Sequence, residues 1–208
     1  MNKLEYIFVD LDGTLLDGKI KHYMCYSDII KKYGGTPICI DEYWEMKRNK
    51  IKRDKLLDIT DFKGRYNQFL NCWIDNIEKD EYLKYDKLKP RSKEMLELWK
   101  SKSEHLILVT MRNNIKTLQN QLNYLGIRSM FEEIVMVEGL KGYSKYDKIK
   151  NYNIKSGIVI GDTEEDISLA HSCKIDSHII TNGIRNIKFL KEATYLYCDI
   201  DNILLKNI

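Results

Sequence analysis

The chain has 208 residues, 43% of them hydrophobic, which is longer than the commonest single domain and too short for two full-size ones. Lys and Arg total 34 against 31 Asp and Glu, a formal net charge of +3, so charge gives no case for nucleic acid or another polyanion as partner. Five scattered cysteines form no C-x-x-C pair, and no apolar stretch approaches the roughly 20 residues that cross a bilayer. The opening residues, MNKLEYIFVDLDG, carry no signal-peptide pattern, so a cytoplasmic protein with reduced thiols is expected, without a membrane partner.

The first apolar run, YIFV at 6–9, predicts a strand that ends in two acids, Asp10 and Asp12, spaced by one residue. Residues 18–88 hold no convincing strand. YMCYSDIIKKYGG, IDEYWEMKRNK and RYNQFLNCWIDNIEKDEYLKY have helical spacing, and such a stretch is too long for an ordinary connection. After the helical PRSKEMLELWK (90–100) come five more strand-like runs: HLILV (105–109), EIVMV (133–137), GIVI (157–160), SHII (177–180) and TYLYC (194–198). Helical spacing fills 114–126, 145–153 and 164–173 between them. Strands alternating with helices predict a parallel sheet covered on both faces. The expected fold is therefore a Rossmann-like α/β core from residues 1–17 and 89–208, with an all-helical cap inserted at 18–88.

In an open α/β sheet, ligands bind beyond the carboxyl ends of the strands. The residues that follow the apolar runs are Asp10 and Asp12, then Thr110, Met111, Arg112 and Asn113, then Asp162 and Asp166 of GDTEED. A helix in LKGYSKYDKIK adds a lysine. Lys145 is favoured because it opens that helix, and Lys141 and Lys148 are the alternatives.

DLDGT (10–14), a strand ending in Thr110, an upstream lysine and GDTEED (161–166) resemble, in order and rough spacing, the four signature motifs of the haloacid dehalogenase superfamily. The helical insert after the first motif resembles the cap of its phosphoglycolate phosphatase and phosphoglucomutase branch. The resemblance implies a magnesium-dependent phosphatase acting on a small phosphorylated metabolite, with Asp10 as nucleophile. It also implies Mg²⁺ held by the Asp10 side chain, the Asp12 carbonyl and Asp162, with Asp166 either touching the ion or supporting its ligands from behind. Lys145 would supply a fixed positive charge. Thr110 and the turn amides after Asp10 and Thr110, that of Met111 among them, would bind phosphate oxygens. Arg112 and Asn113 would touch substrate or cap a helix.

The chemistry asks for these residue types. A carboxylate held in line can displace an alcohol from phosphorus, and a second carboxyl two residues on, Asp12, suits the acid that protonates the leaving group and the base that later activates water. Four carboxylates beside a phosphate dianion require a cation, and an all-oxygen set suits Mg²⁺. Capping is compatible with metal binding at Thr163–Asp166. In the insert, Lys47 and Arg48 either meet a substrate anion or form a solvated basic face. Three alternatives stand beside the phosphatase: a phosphomutase with the same motifs, a carbon–halogen hydrolase that needs neither metal nor Asp12, and a non-enzymatic phospho-receiver.

Overall fold

The computed structural model describes residues 3–205 and divides the chain into two compact units. One comprises the residues up to Leu16 and from Leu88 onward, and the other is Asp17–Lys87.

The first unit is built on strands whose alternate residues bury on opposite faces. β1 (Leu4–Val9) sends Ile7 and Val9 to one face and Phe8 to the other. β4 (Ser103–Met111) divides Leu106 and Leu108 from Ile107 and Val109, and β6 (Gly157–Gly161) divides Ile158 and Ile160 from Val159. With β5 (Glu133–Val137), β7 (Asp176–Ile180) and β8 (Tyr195–Tyr197) they form a six-stranded sheet in the order β5-β4-β1-β6-β7-β8. Every pairing is parallel, so the carboxyl ends of all six strands lie along one edge.

Helices cover both faces because both are apolar. α6 (Ser92–Lys102) and α7 (Ile115–Tyr124) pack Met95, Leu96, Trp99, Leu118 and Leu122 on the Ile7 face. α8 (Lys145–Ile149) and α9 (Glu164–Cys173) pack Ile149, Leu169 and Ala170 on the Phe8 face. The α/β parallel-sheet fold expected from the sequence is the one observed. α8 is shorter than the helical spacing of 145–153 suggests. It stops at Ile149, where the Tyr152 amide closes a tight turn on the Ile149 carbonyl at 2.9 Å.

The second unit is helical: α1 (Lys19–Lys32), α2 (Ile40–Arg48), α3 (Arg53–Asp58), α4 (Tyr66–Asn76) and α5 (Asp80–Leu83). Its own core holds Tyr26, Ile30, Tyr43, Phe69 and Trp73, with Tyr26 stacked on Tyr43 at 4.4 Å. A buried ion pair, Lys21 to Asp86 at 2.7 Å, joins its first helix to its last residues. Two-residue strands, β2 (Leu16–Asp17) and β3 (Lys87–Leu88), pair where the chain leaves and re-enters the sheet unit. They are too short to stand out as apolar runs. Among the described residues no helix is long and apolar enough to cross a membrane.

His178 of β7 is buried, with Nδ1 3.0 Å from the Tyr197 hydroxyl and no partner for Nε2 among the described residues. Burial pushes its pKa down from 6.5 to about 4. Between those values the unfolded chain binds a proton that the folded chain refuses. The contribution of the neutral ring is therefore complete above pH 6.5 and falls by roughly 2–3 kcal/mol on acidification to pH 4. Urea unfolding of wild type and His178→Phe between pH 7.5 and 4.5 should show the gap between the two narrowing or reversing in favour of the variant as pH falls; a gap independent of pH contradicts this.

Candidate active site

Asp10 is the first residue past β1, and its amide still pairs with the Ile160 carbonyl of β6 at 2.9 Å. It keeps the parity of Phe8 and so projects on the face covered by α8 and α9. Ser144 caps α8 by accepting from the Asp147 amide, which makes Lys145 the first residue of that helix. From there the Lys145 ammonium reaches Asp10 Oδ1 at 2.5 Å and Asp166 Oδ1 at 2.6 Å. Lys141 is instead paired with Glu138 at the surface, and Lys148 lies over the Tyr143 ring.

Asp166 carries two loads. Its Oδ1 holds Lys145, and its Oδ2 accepts from the Asp162 amide at 3.2 Å and from the amide and hydroxyl of Thr163 at 3.0 and 2.8 Å. The capping reading of GDTEED therefore holds alongside its place in the acid cluster. Asp162 is fully buried. Its Oδ2 accepts the Ile184 amide, and its Oδ1 lies 3.1 Å from the Thr14 hydroxyl, which is also 3.4 Å from Asp10 Oδ2. A Cβ at Gly13, where φ is +88°, or at Gly183 would collide with the Asp162 carboxylate, so both loops approach it as only glycine can.

Carboxylate oxygens of Asp10, Asp162 and Asp166 lie within 4.8 Å of one another, and all three residues are buried. Burial raises the pKa of Asp10 well above the carboxylate range; Lys145 pulls it back, while Asp166 and Asp162 push it further up. Burial and repulsion from Asp166 bring Asp162 up to about 7. Burial alone would lower the pKa of Lys145, but the charges of Asp10 and Asp166 outweigh it and raise the value. One ammonium among three buried carboxylates leaves negative charge in excess, and oxygen donors in this arrangement fit a hard divalent cation.

Thr110, at the end of β4, is 1% exposed, and its hydroxyl has no hydrogen-bond partner among the described residues. A buried orphan hydroxyl is costly unless a ligand uses it. The Met111 side chain and Asn113 are exposed. Arg112 is buried, and its guanidinium grips Asp12 with Nε to Oδ2 at 2.6 Å and Nη2 to Oδ1 at 2.8 Å. The Asp12 carboxylate thus lies on Arg112. In the helical unit, Lys47 and Arg53 both lie over the Trp73 ring, at 5.7 and 5.4 Å.

Sequence reasoning passed over Thr14, although DLDGT contains it, and Lys89. Lys89 is buried and binds Asn182 Oδ1 at 2.6 Å, which anchors the loop that presents the Ile184 amide to Asp162. Pro90 beside it was the only local signal.

The model of the haloacid dehalogenase-like hydrolase family matches residues 6–180. The chain belongs to that family. Its fold is shared, over 100% of both chains, with a predicted phosphoglycolate phosphatase from Haemophilus somnus, at a TM-score of 0.77 and 20% identity. A predicted phosphatase from Clostridium acetobutylicum superposes at 0.76 with 20% identity over 99% of each chain. A haloacid dehalogenase-like family protein from Streptococcus pneumoniae gives 0.71 with 20% identity over 99% of each. No curated protein matches the sequence significantly.

Removing the lysine of this haloacid dehalogenase-like site should expose the charge excess. Lys145→Met is expected to destabilise the fold by about 3 kcal/mol at pH 8 and by less at pH 5, where Asp162 takes up a proton. Lys141→Met and Lys148→Met should each change stability by less than about 0.5 kcal/mol. Urea denaturation of the three variants separates the cases, and equal losses would mean that Lys145 carries no special charge.

Proposed function

We propose that the chain is a Mg²⁺-dependent phosphatase of small phosphomonoesters, working through an aspartyl-phosphate on Asp10, with the Asp17–Lys87 unit as its cap. The observation that carries this reading is the Lys145 ammonium bridging Asp10 and Asp166 beside Asp162, with the Thr110 hydroxyl buried and unpaired at the neighbouring strand end. Membership of a hydrolase family and the fold shared with predicted phosphatases support it.

Asp10 attacks phosphorus, and the ester oxygen leaves with its electron pair. Asp12, entering the cycle protonated with one oxygen released from Arg112, protonates that oxygen, then recovers a proton from the water that cleaves the acyl phosphate. Lys145 holds the nucleophile in one orientation and offsets charge on the phosphoryl group. Thr110 donates its hydroxyl proton to a phosphoryl oxygen, and the Met111 amide lies in the same turn. Asp10, Asp162, Asp166 and the Asp12 carbonyl would hold Mg²⁺, which supplies charge neutralisation at the phosphoryl oxygens. The five free cysteines support a reducing, cytoplasmic setting.

A family of hydrolases is hard to reconcile with a phospho-receiver. A mutase would keep the same core residues, so the substrate panel includes sugar monophosphates with and without a bisphosphate activator. Phosphate release across sugar, nucleotide and small-acid phosphates should require Mg²⁺, stop with chelator and resume on readdition. Asp10→Asn should fall below about 1% of wild type, because an amide cannot serve as the nucleophile. Full turnover after exhaustive chelation, or in Asp10→Asn, would overturn the reading.

A further inference from the structure

The Asp12 side chain hangs from a tightly turned loop, in which the Gly13 amide pairs with the Leu16 carbonyl at 3.0 Å and Asp12 bridges Leu16. That fixes the backbone and leaves two side-chain torsions to set the direction of the carboxylate. Arg112 sets them. Its Nε and Nη2 meet the two carboxylate oxygens as a fork, and the same Nη2 lies 3.3 Å from Oε1 of Gln121, a buried residue of α7. A planar fork on a planar carboxylate defines an orientation that a lysine, as a point charge, does not. The Arg112 side chain is itself 4% exposed, so α7 and the end of β4 hold both it and, through it, Asp12.

From this geometry we infer that Arg112 is a positioning residue that acts through Asp12, with Gln121 steadying it, and is not a phosphate ligand. The inference rests on the reading of Asp12 as acid and base. A proton donor displaced by about 1 Å loses on the order of 100-fold in rate. The loss should appear in kcat and grow with the basicity of the leaving oxygen, since a phenolate departs with little help and an alkoxide does not. A phosphate ligand would behave differently: its removal weakens binding of every phosphate, inorganic phosphate included.

The test is a cycle of Asp12→Asn, Arg112→Ala and the double variant, with Arg112→Lys and Gln121→Leu alongside, assayed with Mg²⁺ on an alkyl phosphate and on 4-nitrophenyl phosphate. Inorganic phosphate serves as competitive inhibitor, and circular dichroism checks the fold. Arg112→Ala should lower kcat on the alkyl ester about 100-fold, and the pre-steady-state burst of nitrophenolate less than about tenfold. The inhibition constant of phosphate should stay within about twofold. Arg112→Lys should recover little of the loss, and Gln121→Leu should show a weaker version of the same pattern. In the Asp12→Asn background, Arg112→Ala should cost no more than about twofold, because the residue it acts through is already gone. Undiminished loss in that background, or a tenfold weaker phosphate inhibition, would overturn the inference and make Arg112 a phosphate ligand. Equal losses of the phosphorylation step on both esters in Asp12→Asn alone, read from pre-steady-state traces, would instead overturn the acid–base reading beneath it. Should Arg112→Ala not fold, Arg112→Lys and Gln121→Leu carry the same comparison.

Discussion

Three carboxylates, Asp10, Asp162 and Asp166, share a buried space with the Lys145 ammonium, and nearly every feature of the sheet edge is arranged around holding them there. Burying an ionised carboxylate without compensation costs several kcal/mol, so a fold that gathers three must spread the charge over hydrogen bonds, take up protons or accept a cation. It does the first in part. Asp166 accepts four donors, counting Lys145, two amides and the Thr163 hydroxyl, and Asp162 draws on Ile184 and Thr14. The Asp10 and Asp162 oxygens that face Thr14 share that one hydroxyl, which has a single proton to give. That shortfall is where a divalent ion would be most strongly bound.

Parallel topology makes the gathering possible. Because β1, β4 and β6 run the same way in adjacent positions, Asp10, Thr110 and Asp162 arrive at one edge from segments far apart in the chain. Residue parity then separates the tasks. Asp10 faces the side of α8 and α9, which bring Lys145 and Asp166. Asp12, beyond the strand, meets Arg112 at the end of β4 and, through it, α7. The two acids of DLDGT, which would repel each other if they shared a surroundings, are thus given different cations.

Much of this was legible in the sequence, because strand ends are marked by the boundary between an apolar run and polar residues. Asp10, Thr110 and Asp162 could be collected on that rule, and Lys145 by its place at the start of a helix. Partnerships across the chain were not legible. Arg112 lies 100 residues from Asp12, and no local spacing records that the fork of one fits the carboxylate of the other. Lys89 was missed for the same reason, since its role passes through Asn182 and the Ile184 amide. The two-residue strands β2 and β3 carry no periodicity to detect, and α8 ends early because a tight turn at Tyr152 overrides the helical spacing beyond Ile149.

Binding of Mg²⁺ to the folded chain tests the central claim without reference to any substrate. Thermal unfolding in chelator and in rising Mg²⁺ at constant ionic strength should show Tm climbing once the ion exceeds its dissociation constant, as for any ligand bound by the folded state alone. In Asp162→Asn, which keeps the shape and removes the charge, the climb should disappear. A wild-type Tm indifferent to Mg²⁺, or the same climb in Asp162→Asn, would contradict the account.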